Sequence, residues 1–275
     1  MIDYLAIGHI AKDLTPDGHR PGGTVAYAAL TARAMGYRPG LVTAYGDDLN
    51  LGPLAGVACA RVDSQTSTTF ENIYGPGGRT QFIRARAAPL TRASIPANWL
   101  RAPLIHLAPL AREFDPAIAA SFTGAFVGLT PQGWLREWDT EGRVSKGGWP
   151  EALETLPRVN ATVLSIEDLG GDWAMAEHWA KAARVLVLTG GRAGCTVFAQ
   201  GHGARQFAIA PRTEVDPTGA GDIFAAAFFV NFYETGDPWA SARLANQIAA
   251  LSVTRVGLDG APTAEEIGLC RIRAG

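Results

Sequence analysis

Cysteine is scarce in this chain and carries no pattern. Cys59, Cys195 and Cys270 are scattered over 275 residues without the spacing of a disulfide framework or a zinc site, and they read as reduced core thiols. The five histidines are equally dispersed, which leaves a histidine-based metal site without support. Long hydrophobic runs are missing too. The apolar stretch from Ile223 to Phe232 is interrupted by Asn231 and followed by Glu234, short of the ~20 residues that span a bilayer. Met1 to Gly8 lacks the basic region and long apolar core of a signal peptide. Charge of one sign is not concentrated: the formal net charge is −2, and Arg84-Ala85-Arg86 and Arg271-Ile272-Arg273 are too short to make a nucleic-acid surface. These absences exclude nucleic-acid and membrane partners and point to a soluble, cytoplasmic protein.

What is present is an ordinary globular composition, 47% hydrophobic and 18% charged, enough for a sizeable core. No repeat, low-complexity tract or compositional shift divides the chain, so residues 1–275 read as a single domain. Short apolar runs at Tyr4–Gly8, Leu41–Tyr45, Leu104–Ala108, Phe126–Leu129, Thr162–Ile166 and Arg184–Thr189 alternate with helical segments. That rhythm predicts an α/β fold with a mostly parallel sheet covered by helices. Thr68–Tyr74 and Thr80–Ala87, rich in β-branched and aromatic residues around Gly75-Pro76-Gly77-Gly78, give a hairpin signal. His9–His19 reads as a loop, Leu51–Ala58 as a short helix, and Thr130–Pro150 as a long loop of the kind that is often functional.

The densest signal is Val215-Asp216-Pro217-Thr218-Gly219-Ala220-Gly221-Asp222-Ile223-Phe224. Glycines in a polar turn run straight into an apolar helix, with Asp222 where the helix begins. A helix N-terminus offers unpaired N–H groups and the positive end of a dipole, and glycine lets an anion approach the backbone. Asp222 is by itself an ordinary capping acid; beside a bound phosphate it could take a proton from an attacking hydroxyl.

The wider stretch resembles the C-terminal signature of the ribokinase-like (PfkB-type) carbohydrate kinases, Asp-x-x-Gly-Ala-Gly-Asp followed by a small-residue-rich helix. Asp216, Gly219, Ala220, Gly221, Asp222 and Ala225 to Ala227 match it. The resemblance runs from Gly8 to Gly257 and implies a three-layer α/β/α fold with a small, reduced β lid contributed by about residues 10–22 and 66–88. It makes Asp222 the catalytic base, with the amides of Gly219, Ala220 and Gly221 as the anion hole. Asp13, five positions after Gly8, would hold substrate hydroxyls; alone it is a solvated loop carboxylate. Pro21-Gly22-Gly23 matches the family's Gly-Gly substrate motif, and alone it is a turn feeding a helix cap. Tyr27 stands where many members carry asparagine, so the pocket departs from that of ribokinase itself.

On the donor side the resemblance implies nucleotide contacts from Thr189, Gly191, Gly194, Thr218, Gly219 and Gly221, with Asn246 and Gly257 lining the adenine pocket. The family's Asn-x-x-Glu motif is replaced by Ser165-Ile166-Glu167-Asp168. Glu167 is the Mg²⁺-side candidate and Asp168 the alternative, against a helix-capping pair. A monovalent cation such as K⁺ near Asp216 is common in the family. Arg136 is either a phosphate contact or solvated; Gly46-Asp47-Asp48 is read as a plain turn.

The implied activity is ATP- and Mg²⁺-dependent phosphorylation of a small polyhydroxylated substrate: a sugar, a nucleoside, or a cyclitol such as inositol. The short lid, Tyr27 and Thr130-Pro131-Gln132-Gly133-Trp134 lean toward an inositol-kinase-like branch. A vitamin kinase of the same superfold and a non-catalytic nucleotide- or sugar-binding regulatory protein are the alternatives. An exposed lid strand offers an edge through which a homodimer could pair.

Overall fold

The computed structural model describes residues 1–75, 78–210 and 212–274. Its strands are β1 (Tyr4–Ile7), β2 (Ala11–Thr15), β3 (Gly18–Gly22), β4 (Pro39–Tyr45), β5 (Ala58–Asp63), β6 (Thr68–Gly75), β7 (Gly78–Ala85), β8 (Leu104–Leu107), β9 (Phe126–Leu129), β10 (Arg136–Trp138), β11 (Val144–Lys146), β12 (Ala161–Ser165), β13 (Val185–Thr189), β14 (Cys195–Ala199) and β15 (Gly203–Phe207). The helices are α1 (Thr24–Ala34), α2 (Ala152–Thr155), α3 (Trp173–Ala180), α4 (Ala220–Thr235), α5 (Pro238–Ser252) and α6 (Ala264–Ala274).

Nine strands form the central sheet in the order β15-β14-β13-β12-β9-β8-β1-β4-β5. All neighbours are parallel except β13–β14 and β14–β15. The inner strands are apolar on both faces because both faces are covered. Tyr4 and Ala6 point into one core with α1, α4 and α5; Leu5 and Ile7 point into the other, which holds Trp134, Trp149 and Trp179. This alternation within one strand is what makes three layers. Helix α4 is apolar all round, with Ile223 through Val230 fully buried. It lies so close to the sheet that a Cβ on Gly128 would fall 2.5 Å from the Phe229 ring. Among the described residues no helix is long and apolar enough to cross a membrane.

The remaining strands build the substrate side. A four-stranded lid runs β3-β2-β6-β7, with β2 parallel to β6 and the other pairs antiparallel. The residues of His9–His19 read as a loop, while the resemblance assigned about 10–22 to the lid; the segment carries the hairpin β2–β3 of the lid sheet, its alternation masked by Pro16, Gly18 and Pro21. The turn residues Pro76 and Gly77 lie outside the described residues. Ala11, Phe70 and Ile83 on the lid pack against Leu110 and Ala111 of the body.

Three other expectations are corrected. Residues 130–150 hold a short 3-10 turn and the hairpin β10–β11, which leans on the lid through the Phe82–Arg143 bridge and the Ile83 amide to Gly142 O at 2.8 Å. The segment 51–58 is a single 3-10 turn leading into an edge strand, β5. Cys195 and Cys270 are buried thiols, but Cys59, on that edge strand, is exposed.

Candidate active site

Gly219 caps α4 with φ 81°, in the left-handed region. A Cβ there would also fall 2.3 Å from the Tyr27 ring, so both backbone and space require glycine. The Tyr27 ring, 2% exposed, therefore lies under the turn as its support and not as an open wall of the pocket. Its hydroxyl pKa is raised, first by burial and then by the charges of Asp222, Asp13 and Asp216. Asp13, distant in sequence, thus comes close to Tyr27 together with Asp216 and Asp222 of the turn.

The expected anion hole is modified in one place. The Ala220 amide donates to Pro217 O at 3.2 Å, which closes the turn. Among the described residues the Gly219 and Gly221 amides have no such internal partner, and they remain to meet an anion at the dipole's positive end.

Asp222, in the first turn of α4, is partly buried. Burial pushes its carboxyl up to about 6; the Thr24 hydroxyl and Arg136 pull it down, while Asp168 and Asp13 add to the rise. A carboxylate balanced near neutral pH can both ionise and accept a proton usefully. Asp216 is pushed the other way. Burial raises it, but hydrogen bonds from Thr218 and Gly257 and the charge of Arg20 outweigh that, and its carboxyl sits below the usual range. The Thr218 amide reaches Oδ1 and the Gly257 amide Oδ2, each at 2.9 Å, so Asp216 ties the phosphoryl turn to the loop after α5.

On the acceptor side, β2 carries Asp13 against the Gly-Gly motif. A Cβ on Gly22 would fall 2.2 Å from Asp13 Oδ2, and one on Gly23, φ 85°, would meet Ala11 N at 2.9 Å. The two glycines let strand, carboxylate and helix α1 share one corner. Arg136 enters beside it, with its guanidinium 5.1 Å from the Phe70 ring centroid and Nη1 donating to Leu110 O at 3.0 Å. It is held in place and its charge reaches Asp222. Sequence reasoning missed Glu113, which is fully buried and accepts the amides of His9 at 2.8 Å, Leu110 at 2.9 Å and Ala111 at 2.7 Å. It locks together the loops after β1 and β8 that carry the lid; nothing in Ala-Arg-Glu-Phe signals this.

The two candidate metal-side acids stand in different settings. Glu167 is exposed, whereas Asp168 bears on Asp222. Asp168 accepts the Ser165 amide at 2.9 Å and Gln132 Nε2 at 3.2 Å, an orienting shell that Glu167 lacks. Among the described residues no cluster of three ligating side chains exists. This suits Mg²⁺, which is commonly held by one or two carboxylates, water and substrate phosphates; Asp168 and Asp222 would supply the protein's share.

On the donor side, Thr189 ends β13 and the turn 190–194 follows, closed by Gly190 N to Gly194 O at 2.8 Å. Gly191 and Gly194 have φ of 54° and 84°. A Cβ on Gly194 would meet Phe207 O, the same oxygen that accepts Asn246 Nδ2 at 3.1 Å. Asn246 borders a cavity of about 520 Å³ with Phe207, Ile209, Gln247 and Leu251, rimmed by Arg243 and Arg273. Gly257 does not line it; its amide is committed to Asp216.

Residues 165–264 match the model of the pfkB family carbohydrate kinases. Along 257 residues the chain is 26% identical to a cytidine kinase of Thermococcus kodakarensis, covering 86% of this chain and 91% of that one. Along 130 residues it is 34% identical to an inositol 3-kinase of Zea mays, covering 46% of this chain and 33% of that one. Among solved structures it resembles a pyrophosphate-dependent kinase of the ribokinase family complexed with a pyrophosphate analog and myo-inositol (TM-score 0.81, 19% identity, 96% and 99% of the two chains). It also resembles Arabidopsis thaliana ribokinase complexed with ribose and ATP (TM-score 0.73, 17% identity, 98% of each chain). The fold is that of the ribokinases, and the protein is a kinase. The chain is thus similar to the pfkB family of carbohydrate kinases, most directly over residues 165–264, which hold the Asp216–Asp222 turn.

Proposed function

We propose that the protein transfers the γ-phosphoryl group of ATP to a hydroxyl of a small polyhydroxylated acceptor, a sugar, nucleoside or cyclitol. The observation that carries this is Asp222, balanced near neutrality at the N-terminus of α4 with Asp13 on the acceptor side and the Gly219 and Gly221 amides beside it. Asp13 orients the acceptor by accepting its hydroxyl hydrogens. Asp222 takes the proton as the acceptor oxygen bonds to the γ-phosphorus, and the bond from that phosphorus to the bridging oxygen breaks to release ADP. The Gly219 and Gly221 amides meet the charge on the transferred group, an electrostatic contribution that dominates such reactions. Arg136 and Tyr27 hold the base and the turn in register. Bound Mg²⁺ would neutralise phosphate charge, with Asp168 orienting it. Asp216, kept ionised, is the residue beside which a monovalent cation would sit.

The cavity beside Asn246 supports a nucleotide donor, because its apolar walls and two amides suit a base and its arginine rim suits phosphate. The cytidine kinase and the inositol 3-kinase among the relatives support nucleosides and cyclitols as acceptors. The test is product release from ATP, and separately from pyrophosphate, across sugars, nucleosides, inositols and vitamin alcohols, beside Asp222→Asn. Acceptor-dependent ADP release that the variant loses supports the reading. Phosphorylation of vitamin alcohols alone would replace the acceptor class, and binding without any turnover would leave a binding protein.

A further inference from the structure

The inner face of the lid carries a polar pair that the chemistry above does not use. The register places Asp13 beside Phe70, Phe70 beside Ile83, and Asn72 beside Gln81. Paired residues and residues two apart on a strand share a face. Asp13, Phe70, Asn72 and Gln81 therefore line one side of the lid, and Phe70 and Ile83 pack against Leu110 and Ala111, which identifies it as the side turned to the body. Lys12, on the opposite face, pairs outward with Asp48 at 2.9 Å. Asn72 lies about 7 Å along the strand from Phe70, on whose ring Arg136 rests beside Asp222. A furanose or cyclohexane ring spans that distance.

Gln81 Nε2 donates to Asn72 Oδ1 at 3.0 Å, and both side chains are half-buried. The bond fixes the two amides and uses one donor and one acceptor. Asn72 Nδ2 and Gln81 Oε1 are left, neither with a partner among the described residues. An amide flip of the pair would leave the same set, one donor and one acceptor. Two adjacent hydroxyls match it, one accepting and the other donating. Two carboxylates would present only acceptors, and a monofunctional alcohol would satisfy half.

We propose that Asn72 and Gln81 are specificity-determining residues that read a vicinal diol of the acceptor, remote from the hydroxyl that is phosphorylated. This rests on the acceptor being a polyol, as above. The diol-bearing ring is held between Asp13 at the reacting end and the amide pair at the far end. Losing either amide leaves its partner half-satisfied and the far hydroxyls unread.

The experiment compares wild type, Asn72→Leu and Gln81→Leu. Calorimetric binding and ADP release are measured with cytidine against 2′-deoxycytidine, and with myo-inositol against a monodeoxy analogue. The wild type should favour the diol of at least one pair. Each variant should raise the diol's Kd and KM by roughly 10- to 100-fold, the scale for leaving a buried polar group without its partner, leave the deoxy compound unchanged, and keep KM for ATP and the melting temperature near wild type. A wild type that binds neither diol, or binds diol and deoxy compound alike, overturns the proposal. So does a variant that keeps the wild-type preference. Discrimination in binding without ADP release would support this inference while refuting the kinase reaction.

Discussion

Asp216 and Asp222 lie six residues apart in one turn, yet the structure drives their carboxyls in opposite directions. Both are partly buried, and burial pushes both up. Asp216 has two backbone amides to stabilise its charge and falls below the usual range; Asp222 lacks such anchors and rises to about 6. Residue type is identical, so environment alone divides the labour. The one that gains from its charge in the folded state is a brace, and the one that suffers from it is poised to take a proton.

The comparison can be broken at four points. The largest effect belongs to Asp222→Asn, which should lower kcat on the order of 10²- to 10⁴-fold and, by removing a poorly stabilised buried charge, raise the melting temperature measured by calorimetry. The sign follows from its raised pKa: stability declines as pH climbs from the normal aspartate range through about 6, and the variant should not share that decline. Gly219→Ala comes next, with a loss of about 2–4 kcal/mol in urea unfolding from the left-handed φ together with the collision with Tyr27. Asp168→Asn should raise the Mg²⁺ concentration for half-maximal rate about 10-fold, with Glu167→Gln unchanged; the reverse outcome would make Glu167 the metal-side acid. Asp216→Asn should cost about 1 kcal/mol of stability above pH 5. That cost should shrink as pH falls below the normal aspartate range, since a lowered pKa contributes stability only where the carboxylate is ionised.

The sequence carried the sheet and the phosphoryl turn clearly, because both depend on local signals. Strands buried on both faces are continuous apolar runs, and Gly219 and Gly221 announce a turn into Ile223 to Phe232. From the residues alone the lid was half visible: β6 and β7 alternate openly, while β2 and β3 hide behind Pro16, Gly18 and Pro21 and were expected only from the resemblance. The site's supports were not legible. Glu113 is buried by contacts more than a hundred positions away at His9, and Tyr27 acquires its role only when Gly219 settles on its ring. Choosing between Glu167 and Asp168 required knowing which way the chain turns after Ser165. Neighbouring acids look alike in sequence and separate only once Gln132 and the Ser165 amide take hold of one.

The most direct test of the central claim is the pH dependence of kcat/KM for the acceptor, from pH 5 to 8, in wild type and Asp222→Asn. The account predicts a wild-type rate that falls on the acid side with an apparent pKa of about 6, the value burial gives Asp222, and a low, flat profile in the variant. A variant that keeps both the wild-type rate and its acid limb would show that another group takes the proton.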